Sequence, residues 1–209
     1  MIFMFVSLSS AMNTKIRIPF LAVGAALLGL AASARAAVET YKIDPVHSSV
    51  AFSIRHFVSK VPGSFTNFSG AIIVDRDNLA KSSVEATIDV GSVSTANPQR
   101  DNHLKSPDFF DAAKFASMTF KSKSWTKTGD DSFDVTGDLT IKDVTKEVVL
   151  KVKLLGFGPG MKGAMLSGWE ASTTLHKADF GVKGPAMLGA ALGDDVGVTI
   201  GIEADLATN

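Results

Sequence analysis

The feature that most constrains this chain is a period of two in its apolar residues, repeated from segment to segment with few interruptions. Residues 196–206 show it plainly: Val196, Val198, Ile200, Ile202, Ala204 and Leu206 alternate with Gly, Thr, Glu and Asp. The same pattern runs through 133–141 (Phe133, Val135, Gly137, Leu139, Ile141) and 147–154 (Val148, Leu150, Val152, Leu154). Successive side chains of a strand point to opposite faces, so such a segment buries one face and solvates the other.

Five further segments, 46–57, 64–75, 83–90, 116–125 and 165–175, complete a set of about eight strands. Most of the links are short and polar, such as "TGDD" and "KDVTK", which makes sequence neighbours antiparallel. An antiparallel sheet of this size closes into a barrel or folds into a sandwich, and closure removes its exposed edges. Parity then turns inward Val50, Phe52 and Ile54; Phe68 and Ile72; Met118 and Phe120; Leu139; Trp169 and Ala171; and Ile200. Small residues, namely Ser48, Ala86, Gly137 and Ala171, fall among the large ones. They either taper a packed core or leave room for a ligand, and parity does not choose between the two.

The alternation stops between residues 90 and 116, where "RDNHLKSPDFFD" (100–111) follows Asn97–Pro98 and contains Ser106–Pro107. A polar N-cap followed by proline opens a helix, because proline at the first position forfeits no hydrogen bond. Two short helical pieces are expected. On the first, Arg100, His103 and Leu104 share a face. On the second, Phe109 and Phe110 need burial, and the open end of a barrel is the nearest apolar surface. The segment reads as a plug or lid at the rim, its acidic residues stabilising helix starts and pairing with Arg100 or Lys105.

Residues 1–36 have the order of a secretory leader: Lys15 and Arg17, the apolar run "FLAVGAALLGLAA", then "SARA" with Ala34 and Ala36 at small-residue spacing. The apolar run after Pro19 is shorter than the roughly 20 residues of a membrane span. The expected organisation is a leader over 1–36, with Met12 as the alternative start, and one β domain over 37–209. That domain has no basic excess to suit nucleic acid, since the 21 basic and 21 acidic groups balance and Lys15, Arg17 and Arg35 leave with the leader. Absence of cysteine excludes thiol catalysis, thiolate metal sites and disulfides.

Local spacing offers no metal site. His47 and His56 lie nine apart on one strand and face opposite ways, and there is no HExxH. No serine occupies a GxSxG elbow, and "GFGPGMKG" (156–163) reads as a flexible turn because no helix succeeds it. The apolar "GPAMLGAALGD" (184–194) is either packed on the wall or a mobile flap that admits lipid or touches a membrane.

Four runs, "DPVHSSVAFSIRH", "RDNHLKSPDFFD", "GDLTIKDVTKEVVL" and "WEASTTLHKADFG", occur in the order and spacing of the YceI-like family of exported bacterial proteins, which the chain resembles over residues 40–206. Asp143 stands where the family commonly has glycine, and His176 and Lys177 replace a polar and basic pair. The resemblance implies an all-β, eight-stranded antiparallel lipocalin-like barrel with short helical connectors. It implies an apolar pore for an isoprenoid-like lipid, and neither cofactor, metal nor catalytic residue. The expected function is sequestration or transport of a polyprenyl or quinone-precursor lipid in the periplasm. The alternatives are a stress-protective or interaction protein with a packed barrel, and, third, an enzyme acting on a quinone-like substrate. N-terminal sequencing of the exported protein is expected to read from Ala37; an intact Met1 or Met12 on soluble protein would refute the leader.

Overall fold

The computed structural model describes residues 38–208, apart from the side chains of residues 162 and 190; the leader lies outside the described residues. Eleven strands form one antiparallel sheet: β1 (Glu39–Ile43), β2 (Ser49–His56), β3 (Ser59–Phe65), β4 (Phe68–Val74), β5 (Ser83–Asp89), β6 (Val93–Ser94), β7 (Ser117–Lys127), β8 (Ser132–Ile141), β9 (Val144–Pro159), β10 (Met165–His176) and β11 (Leu192–Leu206). One α-helix, α1 (Pro98–Lys105), interrupts the strands between β6 and β7.

These strands make eight staves, because the first six are three staves each broken once. One edge of β11 pairs with β10. Its other edge is shared: Gly201 to Leu192 face Ser49 to His56 of β2, and Leu206 to Ala204 face Tyr41 to Ile43 of β1. Likewise β4 pairs with β1 and β5, while β3 pairs with β2 and β6. The β1–β11 pairing closes the ring, confirming an eight-staved antiparallel barrel.

Polar residues make each break. In 44–48, Asp44 accepts from the Val46 N–H at 2.8 Å, Pro45 has no N–H to give, and the Ser48 hydroxyl donates to the Glu203 carbonyl (3.1 Å) and accepts from the Glu203 N–H (3.0 Å). The serine thus replaces a missing ladder partner on β11. At the β4 and β5 ends, Asp89 accepts from Gly91 N–H (2.8 Å) and from the Asn67 amide (3.1 Å). The first two expected strands, 46–57 and 64–75, therefore omit β1 and most of β3. The β3 signal is masked by Pro62, which is tolerated because β3 pairs on that side only at Ser64 and Phe65.

Other boundaries also move. Residues 156–159 continue β9, so the expected flexible turn is half strand. A bulge at Leu155 separates Gly168↔Gly156 from Trp169↔Leu154, with Gly156 at φ 146°. In the β8–β9 turn the positive φ falls on Lys142 (58°), so Asp143 needs no glycine-like backbone.

Two apolar clusters divide the interior. At one end Tyr41, Val74, Trp125, Phe133, Trp169 and Ala204 pack together, with Phe157 capped by the Arg76 guanidinium 3.7 Å from its ring centroid. The other end holds Val50, Phe65, Phe68, Val90, Phe109, Met118 and Phe180. Tyr41 is fully buried, and its hydroxyl donates to Glu39 (2.7 Å) while accepting from Arg76 (3.2 Å).

Burial, then the hydrogen bond and charge of Glu39, push the Tyr41 phenol up from 10.0 to about 12. An unfolded chain ionises this phenol first, so the stability it confers is complete below pH 10.0 and is lost as pH rises to about 12. Tyr41→Phe is expected to flatten that alkaline fall by about 2 kcal/mol, as measured by urea melts from neutral pH to pH 12 against wild type.

Candidate functional site

The staves enclose a cavity of about 690 Å³. Each residue turned inward by parity lines it: Val50, Phe52, Ile54, Phe68, Ile72, Met118, Phe120, Leu139, Trp169, Ala171 and Ile200. So do Arg100, His103, Phe109 and Phe110 of the connector. The interior is therefore open in part. Its walls are apolar, and apart from Thr173 the polar lining residues (His56, Thr95, Asn97, Gln99, Arg100, His103 and Lys177) belong to the connector, to the strand end beside it or to the turn after β10.

Of the small residues turned inward, Gly137 leaves no room for a ligand. A Cβ there would lie 2.5 Å from the Phe120 ring and 2.6 Å from the Lys121 carbonyl, so Phe120 already covers the glycine. Phe52 covers Gly63 in the same way, at 2.3 Å. Glycines on the inner wall let rings lie flat against the backbone, and this leaves space at the centre. Ala171, by contrast, lines the cavity itself.

Parity missed Trp125, whose number is odd where Met118 and Phe120 are even. A bulge at Lys123 separates Ser122↔Gly137 from Ser124↔Thr136 and reverses the faces beyond it. Lys123 turns outward to Asp138 (2.6 Å) and Glu147 (3.2 Å). Two serines, Ser122 and Ser124, on the expected inner face and a tryptophan, Trp125, on the expected outer one were the available signal. Trp125 and Trp169 meet edge to face at 5.6 Å, deep in the barrel. Val61 and Phe65 of β3, Leu188 and Leu192 also line the cavity and were missed with their elements.

The connector is built from α1 outward. Asn97 accepts from Arg100 N–H (3.1 Å) as N-cap. Arg100 donates through Nε to Thr95 Oγ1 (2.7 Å) and through Nη2 to the Thr95 carbonyl (2.8 Å), and Asp101 accepts from Thr95 N–H (2.7 Å) and Oγ1 (2.5 Å). Asp101 and Arg100 thus hold the same threonine, and the expected acid partner of Arg100 is replaced by Thr95. Asp108 pairs with the histidine of this helix instead, its carboxylate 2.7 Å from His103 Nε2.

The expected second helix does not form. Ser106 ends α1 instead, its N–H and hydroxyl both returning to the His103 carbonyl (3.1 and 2.7 Å), and Asp111 at φ 51° turns the chain. A run of turns takes the place of the helix and drives the phenylalanines inward. Phe109 is buried against Gly184, where a Cβ would lie 2.8 Å from its ring, and beside His103 at 5.1 Å. Phe110 meets Phe65 edge to face at 5.9 Å. Phe109→Ala is expected to destabilise the fold by about 3 to 5 kcal/mol in a denaturant melt, and the half-buried Phe110→Ala by less. Unchanged midpoints would show that the connector is not docked.

The fold brings together two groups that spacing could not reveal. His47 lies 2.6 Å from Asp44 and 3.7 Å from Glu203; His176 lies 2.8 Å from Asp195 and 3.8 Å from Asp194. Each group gathers three atoms capable of holding a metal. In each the imidazole already bonds to a carboxylate, which accounts for the grouping. Asp44 holds His47 above its ordinary value and His47 holds Asp44 below its own, mainly through their hydrogen bond. Both groups lie outside the cavity lining.

Comparison with known proteins agrees with this architecture. Protein YceI of Escherichia coli is 43% identical over 168 residues, covering 78% of this chain and 86% of its own. A Campylobacter jejuni YceI protein of known structure is 32% identical with a TM-score of 0.64, over 72% of this chain and 88% of its own. A polyisoprenoid-binding domain from Saccharophagus degradans shares the fold at 15% identity, TM-score 0.62, over 80% of this chain and 98% of its own. The YceI-like domain matches residues 41–204, so the open barrel, its covered glycines and its docked connector belong to a member of the YceI-like family.

Proposed function

We propose that this protein is a periplasmic carrier that sequesters or transports an amphipathic isoprenoid lipid, of polyprenyl or quinone-precursor type, without modifying it. The observation that carries the reading is the cavity of about 690 Å³ with apolar walls and polar groups gathered toward the connector. That size is ordinary for a ligand site. An isoprenoid chain would bury its carbons among Phe52, Met118, Ala171 and Ile200, at about 0.8 kcal/mol per methylene before affinity saturates. A polar head would meet Arg100, His103 or Lys177 at the connector. The leader-like order of residues 1–36 supports export, and the shared fold of the polyisoprenoid-binding domain supports the ligand class.

Transport without chemistry suits the polar groups present. Arg100 and Asp101 are committed to Thr95, and His103 to Asp108, so each has a structural partner that accounts for it.

Native mass spectrometry of the purified protein, followed by solvent extraction, is expected to find a stoichiometric apolar ligand. Ala171→Phe is expected to stay folded with a midpoint near wild type while the bound lipid falls sharply; Gly137→Leu is expected to destabilise, because the Phe120 ring fills that space. An empty wild type together with an unfolded Ala171→Phe would overturn the carrier and favour a stress-protective or interaction protein. A chemically converted ligand would instead indicate an enzyme.

A further inference from the structure

The hairpin between β2 and β3 breaks a local rule. His56 pairs with Ser59, so Phe57 and Val58 form a two-residue loop. Such loops favour glycine or asparagine because the twist of the strands demands positive φ. Here Phe57 takes φ 50°, a strained backbone for a bulky residue, and its side chain is 62% exposed; Val58 is fully exposed at 102%. Neither burial nor turn chemistry explains two large apolar residues at that tip. Sites that break local rules without a structural gain are where function is expected.

The tip stands on the rim of the cavity. His56 and Val61, flanking it in the hairpin, line the cavity, as do Leu188 and Leu192 of the neighbouring connection. The Phe57 N–H donates to the Ala191 carbonyl at 2.7 Å and ties the two segments together. That connection carries Met187, 90% exposed.

Charge around the tip is cationic and unmatched. Arg55 and Lys60 face each other across the hairpin, an arrangement that is repulsive in isolation. Arg55 donates to the Phe57 carbonyl (3.1 Å), and neither residue joins an ion pair among the described residues. The carboxylates just past Leu192, Asp194 and Asp195, are engaged by Lys177, the Ala178 N–H and His176.

We propose that Phe57, Val58 and Met187, flanked by Arg55 and Lys60, form a docking surface for an anionic lipid bilayer at the mouth of the cavity. Apolar side chains on a short tip enter the headgroup region, and cations beside them meet the negative surface. Three side chains are too few to form the area that a stable protein interface buries. The inference rests on the carrier reading for its purpose: a lipid too apolar to cross water leaves and enters the cavity where the barrel touches the membrane.

The test uses sedimentation of the purified, exported protein with vesicles of phosphatidylcholine, with and without phosphatidylglycerol. Wild type is expected to sediment with the anionic vesicles and not with the neutral ones. Phe57→Asn with Val58→Gly restores favoured turn residues, so it is expected to keep or raise the melting midpoint while vesicle binding falls about tenfold or more. Lys60→Gln is expected to lower binding about fivefold. A soluble fluorescent short-chain isoprenoid probe, measured in parallel, is expected to bind wild type and the double variant alike. Vesicle binding without probe binding would remove the carrier reading and leave the docking surface. Equal sedimentation of the double variant and wild type, or equal binding to neutral vesicles, would overturn the proposal. So would a dimer in sedimentation equilibrium that the double variant abolishes, which would assign the tip to a second copy.

Discussion

Barrel closure depends on β11 serving two strands along one edge. A strand edge left open exposes a row of unpaired backbone groups, and a ring of eight staves removes that liability only if its last strand finds a partner along its whole length. Here β2 covers one part of β11 and β1 the other, and the five residues between them would leave a gap. Ser48 and Asp44 fill it: the Ser48 hydroxyl accepts from the Glu203 N–H, and the Glu203 carbonyl accepts from the Asp44 N–H and the Ser48 hydroxyl. The break also resets parity, so that Tyr41 and Ile43 before it and Val50 and Phe52 after it all point inward.

The cavity results from how the wall is made. Glycines at 63 and 137 allow the Phe52 and Phe120 rings to lie against the backbone. Each ring then spends its volume on covering wall and not on filling the axis. One end is packed by Tyr41, Trp125, Phe133 and Trp169, while the other is closed by a connector that is held at a few points: Thr95 by Arg100 and Asp101, and the two phenylalanines by Gly184 and Phe65. Apolar walls with polar groups concentrated at the connector suit an amphipathic ligand.

Stability and proposed function make opposite demands on the connector end. The buried Phe109 anchors the cap, whereas the strained Phe57 and exposed Val58 contribute nothing to the core and lie where the cavity meets solvent. Apolar residues kept exposed beside a lipid-sized cavity are coherent if the barrel exchanges its contents at a membrane.

Strand identity, the inward face of most staves, the α1 start and the docking of Phe109 and Phe110 were legible in the sequence. They rest on period-two alternation, on an N-cap followed by proline and on the cost of exposing aromatic rings, all of which are local. Family membership was legible too, through four runs in fixed order. The tertiary structure decided what depends on distant partners. Trp125 turned inward only because Lys123 bulges toward Asp138 and Glu147. Gly137 proved to be covered because the Phe120 ring, from the position two residues along on the paired strand, reaches diagonally over it. His47 met Glu203 across more than a hundred and fifty residues, and Ser106 ended a helix that its proline suggested it would begin. Alternation specifies which face is buried, but whether that face meets a ring, a bulge or empty space is set by the paired strand and its register, which a period of two leaves undetermined.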